Sequence, residues 1–334
     1  MKSSFIVLGS GSWGSALALY LAKQNHQVVL WGHDPKAMAA CAKNHVNEHY
    51  LPDFIFPAQV TFTSSLFDAF QQATHRTIIL LVVPSHAFAQ VTKAIAPFLP
   101  ADCGIVWATK GLSELGELLH EVCEKHCGKR PMAVLSGPSF ANEVAKGLPT
   151  AVTIATIEPA FGQALQTAFH SENFRVYLSD DIQGVELGGA VKNVLAIAVG
   201  MSDGLGYGAN ARSALITRGL AELCRLGDAL GAKHTTLIGL SGVGDIVLTC
   251  TDNQSRNRRF GLSLGQGISQ AQAELTIGQV VEGKTNAKQV MLLAKKLNVE
   301  MPICSQVFDV LFGNLAPQQA VINLLTRPPK TETK

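Results

Sequence analysis

A short apolar run from Phe5 to Leu8 ends in Gly9, Gly11 and Gly14, spaced G-x-G-x-x-G, and an apolar segment from Trp13 to Ala22 follows at once. No other feature constrains the fold as much. Gly9 permits a tight turn, Gly11 lets backbone approach a pyrophosphate, and Gly14 lets a helix pack close to the strand with its N-terminal N–H groups facing an anion. A bare glycine motif is commonly an ordinary turn. Strand, glycines and helix in this order point instead to a dinucleotide, with Ser10, Ser12 and Trp13 lining the loop. A ribose-binding acid is expected at the end of the second strand, where the sequence reads Trp31, Gly32, His33, Asp34. Asp34 follows the glycines by about 20 residues and suits a 2′-hydroxyl, whereas His33 suits a 2′-phosphate, so NAD and NADP both remain open. Asp34 before Pro35 equally suits a helix cap.

The chain has 334 residues, roughly twice the ~150 of one domain, so two domains are expected. To about Asp180, short β-branched runs alternate with amphipathic stretches, the pattern of βαβ units and a mostly parallel sheet. The expected strands are Phe5 to Leu8, Val28 to Trp31, Val60 to Thr63, Thr77 to Val83, Gly104 to Ala108, Ala133 to Leu135, Ala151 to Ala155 and Arg175 to Leu178. Beyond Asp180 the alternation stops. Helices are expected at Ile182 to Val199, Asn210 to Leu230, Gly242 to Cys250, Asn257 to Leu264, Thr285 to Leu297, Ile303 to Phe312 and Gln318 to Leu325. The resulting division is an α/β nucleotide-binding domain over 1–180, an all-α domain over 181–326 and a mobile tail over 327–334. The most apolar stretch, Val185 to Met201, contains Glu186 and Lys192, which a bilayer penalises, so no membrane span is read there.

Twenty-seven Lys and Arg against 25 Asp and Glu leave a formal charge of +2, far from the basic excess of a nucleic-acid binder. With 47% apolar and 16% charged residues, disorder is excluded. Seven cysteines without paired spacing suggest free thiols and the cytoplasm, and no export signal is read at the start. No metal is expected: Cys123, His126 and Cys127 share a helical face but lack a fourth ligand. Ser113 and Ser139 have no evident His and Asp companions for nucleophilic hydrolysis.

Ligands of open α/β sheets bind outside the carboxyl ends of the strands, which directs attention to several turns. Thr109, Lys110 and Gly111 place an ammonium group at one strand end. At another, Ser136, Gly137, Pro138, Ser139, Phe140 and Ala141 offer backbone and hydroxyl donors. Lys192 lies among small and apolar residues after Gly188 and Gly189. Burial there depresses its pKa and equips it for proton transfer, and a snorkelling surface lysine is the equal alternative. Asp245, after Gly242 and Gly244, suits a helix cap better than a cation partner on spacing alone. Asp252, Asn253, Gln254, Ser255, Arg256, Asn257, Arg258 and Arg259 at a helix start resemble a phosphate cradle, although an isolated run of this kind is more often a solvated basic turn. Val280 and Glu282 precede a further helix, where Glu282 can accept a hydrogen bond from an amide or ribose.

Taken together and in order, Gly9 to Gly14, Trp31 to Pro35, Ala108 to Gly111, Leu135 to Ala141, Gly188 to Asn193, Gly242 to Asp245 and Ser255 to Asn257 resemble the bacterial type of NAD(P)-dependent glycerol-3-phosphate dehydrogenase. The similarity runs from Ile6 to about Leu325. It implies a Rossmann-like N-terminal domain, a C-terminal domain like that of 6-phosphogluconate dehydrogenase, and reversible reduction of dihydroxyacetone phosphate to sn-glycerol 3-phosphate for phospholipid synthesis. By the resemblance, Lys192 is the catalytic proton donor and acceptor. Lys110, Gly137, Ser139, Asp245, Ser255, Arg256 and Asn257 would bind substrate with it. Gly9, Ser10, Gly11, Ser12, Trp13, Gly14, His33, Lys110, Ala141, Arg256, Val280 and Glu282 would bind NAD or NADP. Trp13 stands where a smaller or tyrosine-like residue is more usual, and Ser139 replaces a threonine. Apolar helical surface is compatible with a homodimer. Two rivals share parts of this pattern: a β-hydroxyacid or 6-phosphogluconate type dehydrogenase, which needs a carboxylate clamp, and a dinucleotide-binding redox sensor, which has no use for Lys192.

Overall fold

A computed structural model describes residues 3–328 and Thr331. Its strands are β1 (Ser4–Leu8), β2 (Gln27–Trp31), β3 (Val60–Thr63), β4 (Thr77–Leu81), β5 (Ile105–Trp107), β6 (Met132–Ser136), β7 (Thr150–Ala155) and β8 (Phe174–Ser179). They match the expected runs with small shifts at the ends. The largest is at β4, which ends at Leu81; past its end the Val83 carbonyl accepts the Thr109 hydroxyl at 2.8 Å.

The strands form one sheet in the order β3-β2-β1-β4-β5-β6-β7-β8. At the centre Phe5 lies opposite Val28 of β2 and Ile78 of β4. These strands are buried on both faces, hence their uniformly apolar sequences. Leu17, Leu21 and Phe169 pack on one side, Phe88, Trp107 and Val122 on the other. All neighbours are parallel except β6 and β7, which run antiparallel. The connection between them explains this. Its helix, Ala141–Lys146, advances only ~9 Å, too little to return the chain along a strand of ~17 Å.

After β8, Asp181 caps the helix Ile182–Gly204, accepting from the Gly184 N–H at 2.9 Å and, through its other oxygen, from the Lys233 N–H at 2.8 Å. This helix has 23 residues, and an 18-residue window of it has a mean hydropathy of 1.3, enough to cross a membrane by length and composition, yet that window is entirely buried within the protein. It is the axis around which the other helices pack. The helix Arg256–Gly265 crosses it backbone to backbone: a methyl at Gly200 would sit 2.2 Å from the Arg258 carbonyl oxygen, and one at Gly261 2.2 Å from that of Ile197. Glycine on both sides of the crossing brings the turn before Arg256 close to the middle of the axial helix.

Around it stand Gly208–Leu230, Asp245–Thr251, Glu282–Lys296 and Pro302–Phe312, and Pro317–Leu325 packs on the last of these. Three differences from the sequence expectations have physical causes. The helix expected from Gly242 begins as a π-type turn, Leu240–Gly244, and becomes α-helical only at Asp245. The chain approaches itself closely there, a methyl at Gly242 falling 1.8 Å from the Leu237 carbonyl oxygen. The helix expected from Thr285 starts earlier, at Glu282. Two helices were not anticipated: His234–Leu237, a single turn, and Gln270–Ile277, which buries only Ala273 and so shows no apolar stripe. Of the expected tail, Arg327 pairs with Glu300 at 2.6 Å, while Pro329, Lys330 and 332–334 lie outside the described residues. All seven cysteines are free thiols.

Candidate active site

The glycine loop sits between the carboxyl ends of β1 and β4, the point where strand order reverses. Gly9 has φ +122°, and a methyl there would meet the Val82 carbonyl oxygen at 2.6 Å. A methyl on Gly14 would fall 1.8 Å from the Gly9 carbonyl oxygen, whereas one on Gly11 would meet nothing within 4 Å. The loop is therefore closed on its strand side and open over Gly11, next to the start of the helix Ser12–Lys23, which has no side-chain cap and no acid in its first turn. That is a cradle for a pyrophosphate, and the residues present fit a dinucleotide. Asn47 steadies it from outside, donating to the Ser10 carbonyl at 2.8 Å and the Ser15 hydroxyl at 2.9 Å. Asp34 takes the capping role, accepting from the Lys36 and Ala37 N–H groups at 2.8 and 3.3 Å. His33 is exposed beside it. Relieving a Gly14→Ala clash against backbone costs about 1–3 kcal/mol. NADH binding, followed by fluorescence titration, is accordingly expected to weaken roughly 5- to 150-fold in that variant.

Three ionisable side chains from distant parts of the chain meet at the same end of the sheet. Lys192, on the axial helix, donates to Asp245 Oδ1 at 2.6 Å and to the Thr249 hydroxyl at 3.0 Å. Lys110, following β5, donates to Asp245 Oδ2 at 2.8 Å and to the Gly137 carbonyl at 2.9 Å. Lys192 is only 6% exposed and Asp245 1%, so snorkelling is ruled out for Lys192. Asp245 does not cap its helix but holds two cations, contrary to the expectation from spacing. The cluster carries a net charge of +1. Burial lowers the Lys192 pKa from 10.5 to about 8, with Lys110 adding to the drop and Asp245 opposing it. Burial pushes the Asp245 carboxyl up, but the two ammonium groups outweigh it and hold the carboxyl below its ordinary range. An amine poised near neutrality beside a fixed cation can pass a proton to a developing oxyanion and take it back. Ser139 lies alongside, its hydroxyl 2.9 Å from the Gly137 carbonyl and 3.5 Å from Lys110 Nζ.

A second group forms where the helix Arg256–Gly265 begins. The Ser255 hydroxyl caps it by accepting the Arg258 N–H at 3.2 Å. Arg258 ties the preceding loop down through the Cys250 carbonyl and the Asn253 and Asp203 side chains. Arg256 donates to Gln279 Oε1 at 3.3 Å, and the Ser12 hydroxyl donates to that same oxygen at 3.3 Å. Gln279 thus links the arginine to the glycine loop. Glu282 begins its helix and accepts the Ser85 hydroxyl at 3.1 Å. Burial raises its pKa, partly offset by Ser85 and by Arg256. Val280 is exposed at 45%, and Ala141 is the first residue of its short helix. Asn257 donates to Asn193 and accepts from the Gly283 N–H within the protein.

Several contributors had no place among the sequence expectations. Thr249 lies four residues after Asp245, one helical turn on, a spacing that signals a shared face. Gln279 and Asn47 carry no sequence signal of that kind. Among the described residues no three His, Cys, Asp or Glu side chains are grouped to hold a metal.

Family models for the N-terminus and the C-terminus of NAD-dependent glycerol-3-phosphate dehydrogenase match residues 4–177 and 181–322. The chain belongs to this family. Glycerol-3-phosphate dehydrogenase [NAD(P)+] of Shewanella frigidimarina is 54% identical over 98% of this chain and 97% of its own length. That of Thioalkalivibrio sulfidiphilus is 55% identical over 98% of each. The crystal structure of glycerol-3-phosphate dehydrogenase from Coxiella burnetii superimposes with a TM-score of 0.95 at 49% identity, covering 98% of this chain and 99% of that one. The similarity covers both halves of this architecture, the sheet and the helices that follow it.

Proposed function

We propose that this chain is an oxidoreductase that reversibly reduces dihydroxyacetone phosphate to sn-glycerol 3-phosphate with NADH or NADPH, and that Lys192 carries the proton. The observation behind this reading is the buried Lys192 ammonium, 2.6 Å from Asp245, at the strand ends beside a loop shaped for a dinucleotide. A nicotinamide bound along that loop supplies the hydride when reduced. Lys192 gives a proton to the ketone oxygen as that oxygen gains charge, and recovers one before the next turnover. Lys110, Gly137 and Ser139 border the reacting carbons, Lys110 adding a second positive charge at the developing alkoxide. Asp245 holds both amines in place, and Ser255, Arg256 and Asn257 form the phosphate end. His33, Ala141, Val280 and Glu282 complete the dinucleotide site along with the loop. Residues 1–180 form the nucleotide-binding domain and 181–326 the helical substrate-binding and catalytic domain, each lending residues to the other's ligand. We place the enzyme in the cytoplasm, supplying glycerol phosphate for phospholipid synthesis, with a homodimer as its assembly.

Reduction needs the Lys192 ammonium and oxidation the free amine, so the two directions respond oppositely to pH. With a pKa of about 8, the protonated fraction falls tenfold per unit above it. Reduction is expected to decline there, while oxidation rises up to the same point and levels off. Initial rates in both directions test this, and rates that move together would contradict it. The reaction itself is tested by the absorbance of NADH and NADPH with and without dihydroxyacetone phosphate. Decay is expected only with the ketone. Activity on a 3-hydroxy acid instead would favour the β-hydroxyacid rival, and no oxidation with any phosphorylated ketone would favour the redox sensor.

A further inference from the structure

Behind the lysine cluster runs a row of buried amides, each donating to the next in one direction. The Gly283 N–H donates to Asn257 Oδ1 at 2.9 Å, Asn257 Nδ2 to Asn193 Oδ1 at 2.8 Å, and Asn193 Nδ2 to Asn286 Oδ1 at 2.8 Å. Asn286 Nδ2 donates to Gln289 Oε1 at 2.8 Å, Gln289 Nε2 to the Ser85 hydroxyl at 3.3 Å, and that hydroxyl to Glu282 at 3.1 Å. Glu282 and Gly283 are adjacent, so the row closes on itself. Asn286 is 0% exposed, Gln289 1% and Ser85 1%. Such a row is held in a single orientation, since turning one amide sets oxygen against oxygen and donor against donor.

Its members flank the site residues in sequence: Asn193 follows Lys192, Asn257 follows Arg256, and Gly283 follows Glu282. The Lys110 side is reached differently. Gln289 Oε1 also accepts the Leu112 N–H at 3.2 Å. Between Lys110 and Leu112, Gly111 has φ +155° and lies so close to the row that a methyl would fall 2.5 Å from Ser85 Cβ and 2.6 Å from Asn286 Nδ2. The loop that presents Lys110 therefore rests on Ser85, Asn286 and Gln289, and Gln289 supplies its hydrogen bond.

We propose that Gln289 is a positioning residue for the reaction: by accepting both the Leu112 N–H and the Asn286 amide, it sets where Lys110 stands relative to Lys192 and Asp245. The inference rests on the reaction proposed above. Gln289 touches neither lysine and acts through the loop. Removing its acceptor leaves the Leu112 N–H unpaired in a buried place and lets Lys110 shift from Asp245, while the glycine loop is untouched.

The test is Gln289→Met, similar in length but without the amide, assayed per cofactor-binding site titrated with NADH. The expected result is a fall in kcat of ~10- to 100-fold, the range that a small misplacement brings, with the NADH dissociation constant unchanged within about twofold. The pH inflection of reduction is expected to move upward, because Lys110, one of the groups lowering the Lys192 pKa, has receded. Asp245, Lys110 and the Cys250 thiol are the titratable groups facing Lys192. Gln289→Glu, held protonated by its burial, keeps an acceptor for both donors and an O–H donor toward Ser85 in place of the amide, and is expected to restore kcat. If Gln289→Met fails to fold, Gln289→Asn, too short to reach Leu112, carries the same test. A folded variant with wild-type kcat and an unmoved inflection overturns the proposal, as does a loss that Gln289→Glu fails to restore. Wild-type enzyme inactive on dihydroxyacetone phosphate would instead overturn the reaction itself.

Discussion

Lys192→Ala is expected to lower kcat for reduction of dihydroxyacetone phosphate by ~100-fold or more, the range contributed by a positioned general acid, with modest loss of cofactor binding. The fold should tolerate the change. Asp245 keeps Lys110 at 2.8 Å and the Thr249 hydroxyl at 3.2 Å, so no carboxylate is left buried alone. Burial works against the Lys192 cation and lowers its pKa from 10.5 to about 8, so alanine removes an unfavourable charge as well as a favourable pair. Activity lost with little change in melting temperature is the signature. Arginine should not rescue oxidation, because a guanidinium does not give up its proton in this pH range. Near-normal turnover in Lys192→Ala would remove the assignment, and collapse of the fold would show the lysine to be structural.

Arg256→Ala is expected chiefly to raise the KM for the phosphorylated ketone. A phosphate left without its charged partner loses about 2 to 4 kcal/mol, roughly 30- to 700-fold in kcat/KM at tenfold per 1.4 kcal/mol. The arginine is not a structural anchor. Arg258, two residues on, ties the loop down through Cys250, Asn253 and Asp203, and Ser255 caps the helix, so the alanine variant keeps the cradle's backbone. Arg256 shares Gln279 Oε1 with Ser12 of the glycine loop, and a smaller loss of cofactor affinity is expected alongside. Kinetics with dihydroxyacetone phosphate and with an unphosphorylated ketone separate these effects. An unchanged KM for the phosphorylated substrate would place the cradle elsewhere.

The central strands were legible because a sheet covered on both faces demands apolar runs, and the edge strand β8 because its burial alternates, with special turns marking the ends of several. The glycine loop was legible for the same reason: each of its glycines answers a local steric demand. What could not be read were pairings between distant segments. Lys192 and Asp245 are 53 positions apart, Lys110 and Asp245 135. Nothing local to Asp245 distinguishes a carboxylate that caps a helix from one that holds two cations. Spacing favoured the cap, and the π-type turn Leu240–Gly244 instead delivers the side chain to the lysines. The amide row escaped notice altogether, since Asn286 and Gln289 read as polar positions on an amphipathic helix and reveal their burial only when the Lys110 loop lies over them. The antiparallel β7 went unseen too, because direction depends on how far the connecting helix travels.

A structure of the enzyme with oxidised cofactor and dihydroxyacetone phosphate, a complex that cannot react, tests the central claim most directly. The ketone oxygen is expected within about 2.6 to 3.2 Å of Lys192 Nζ, the phosphate on Arg256 and the nicotinamide ring against the ketone carbon. A bound substrate whose carbonyl is held by another group, with the Lys192 amine turned away from it, would contradict the account.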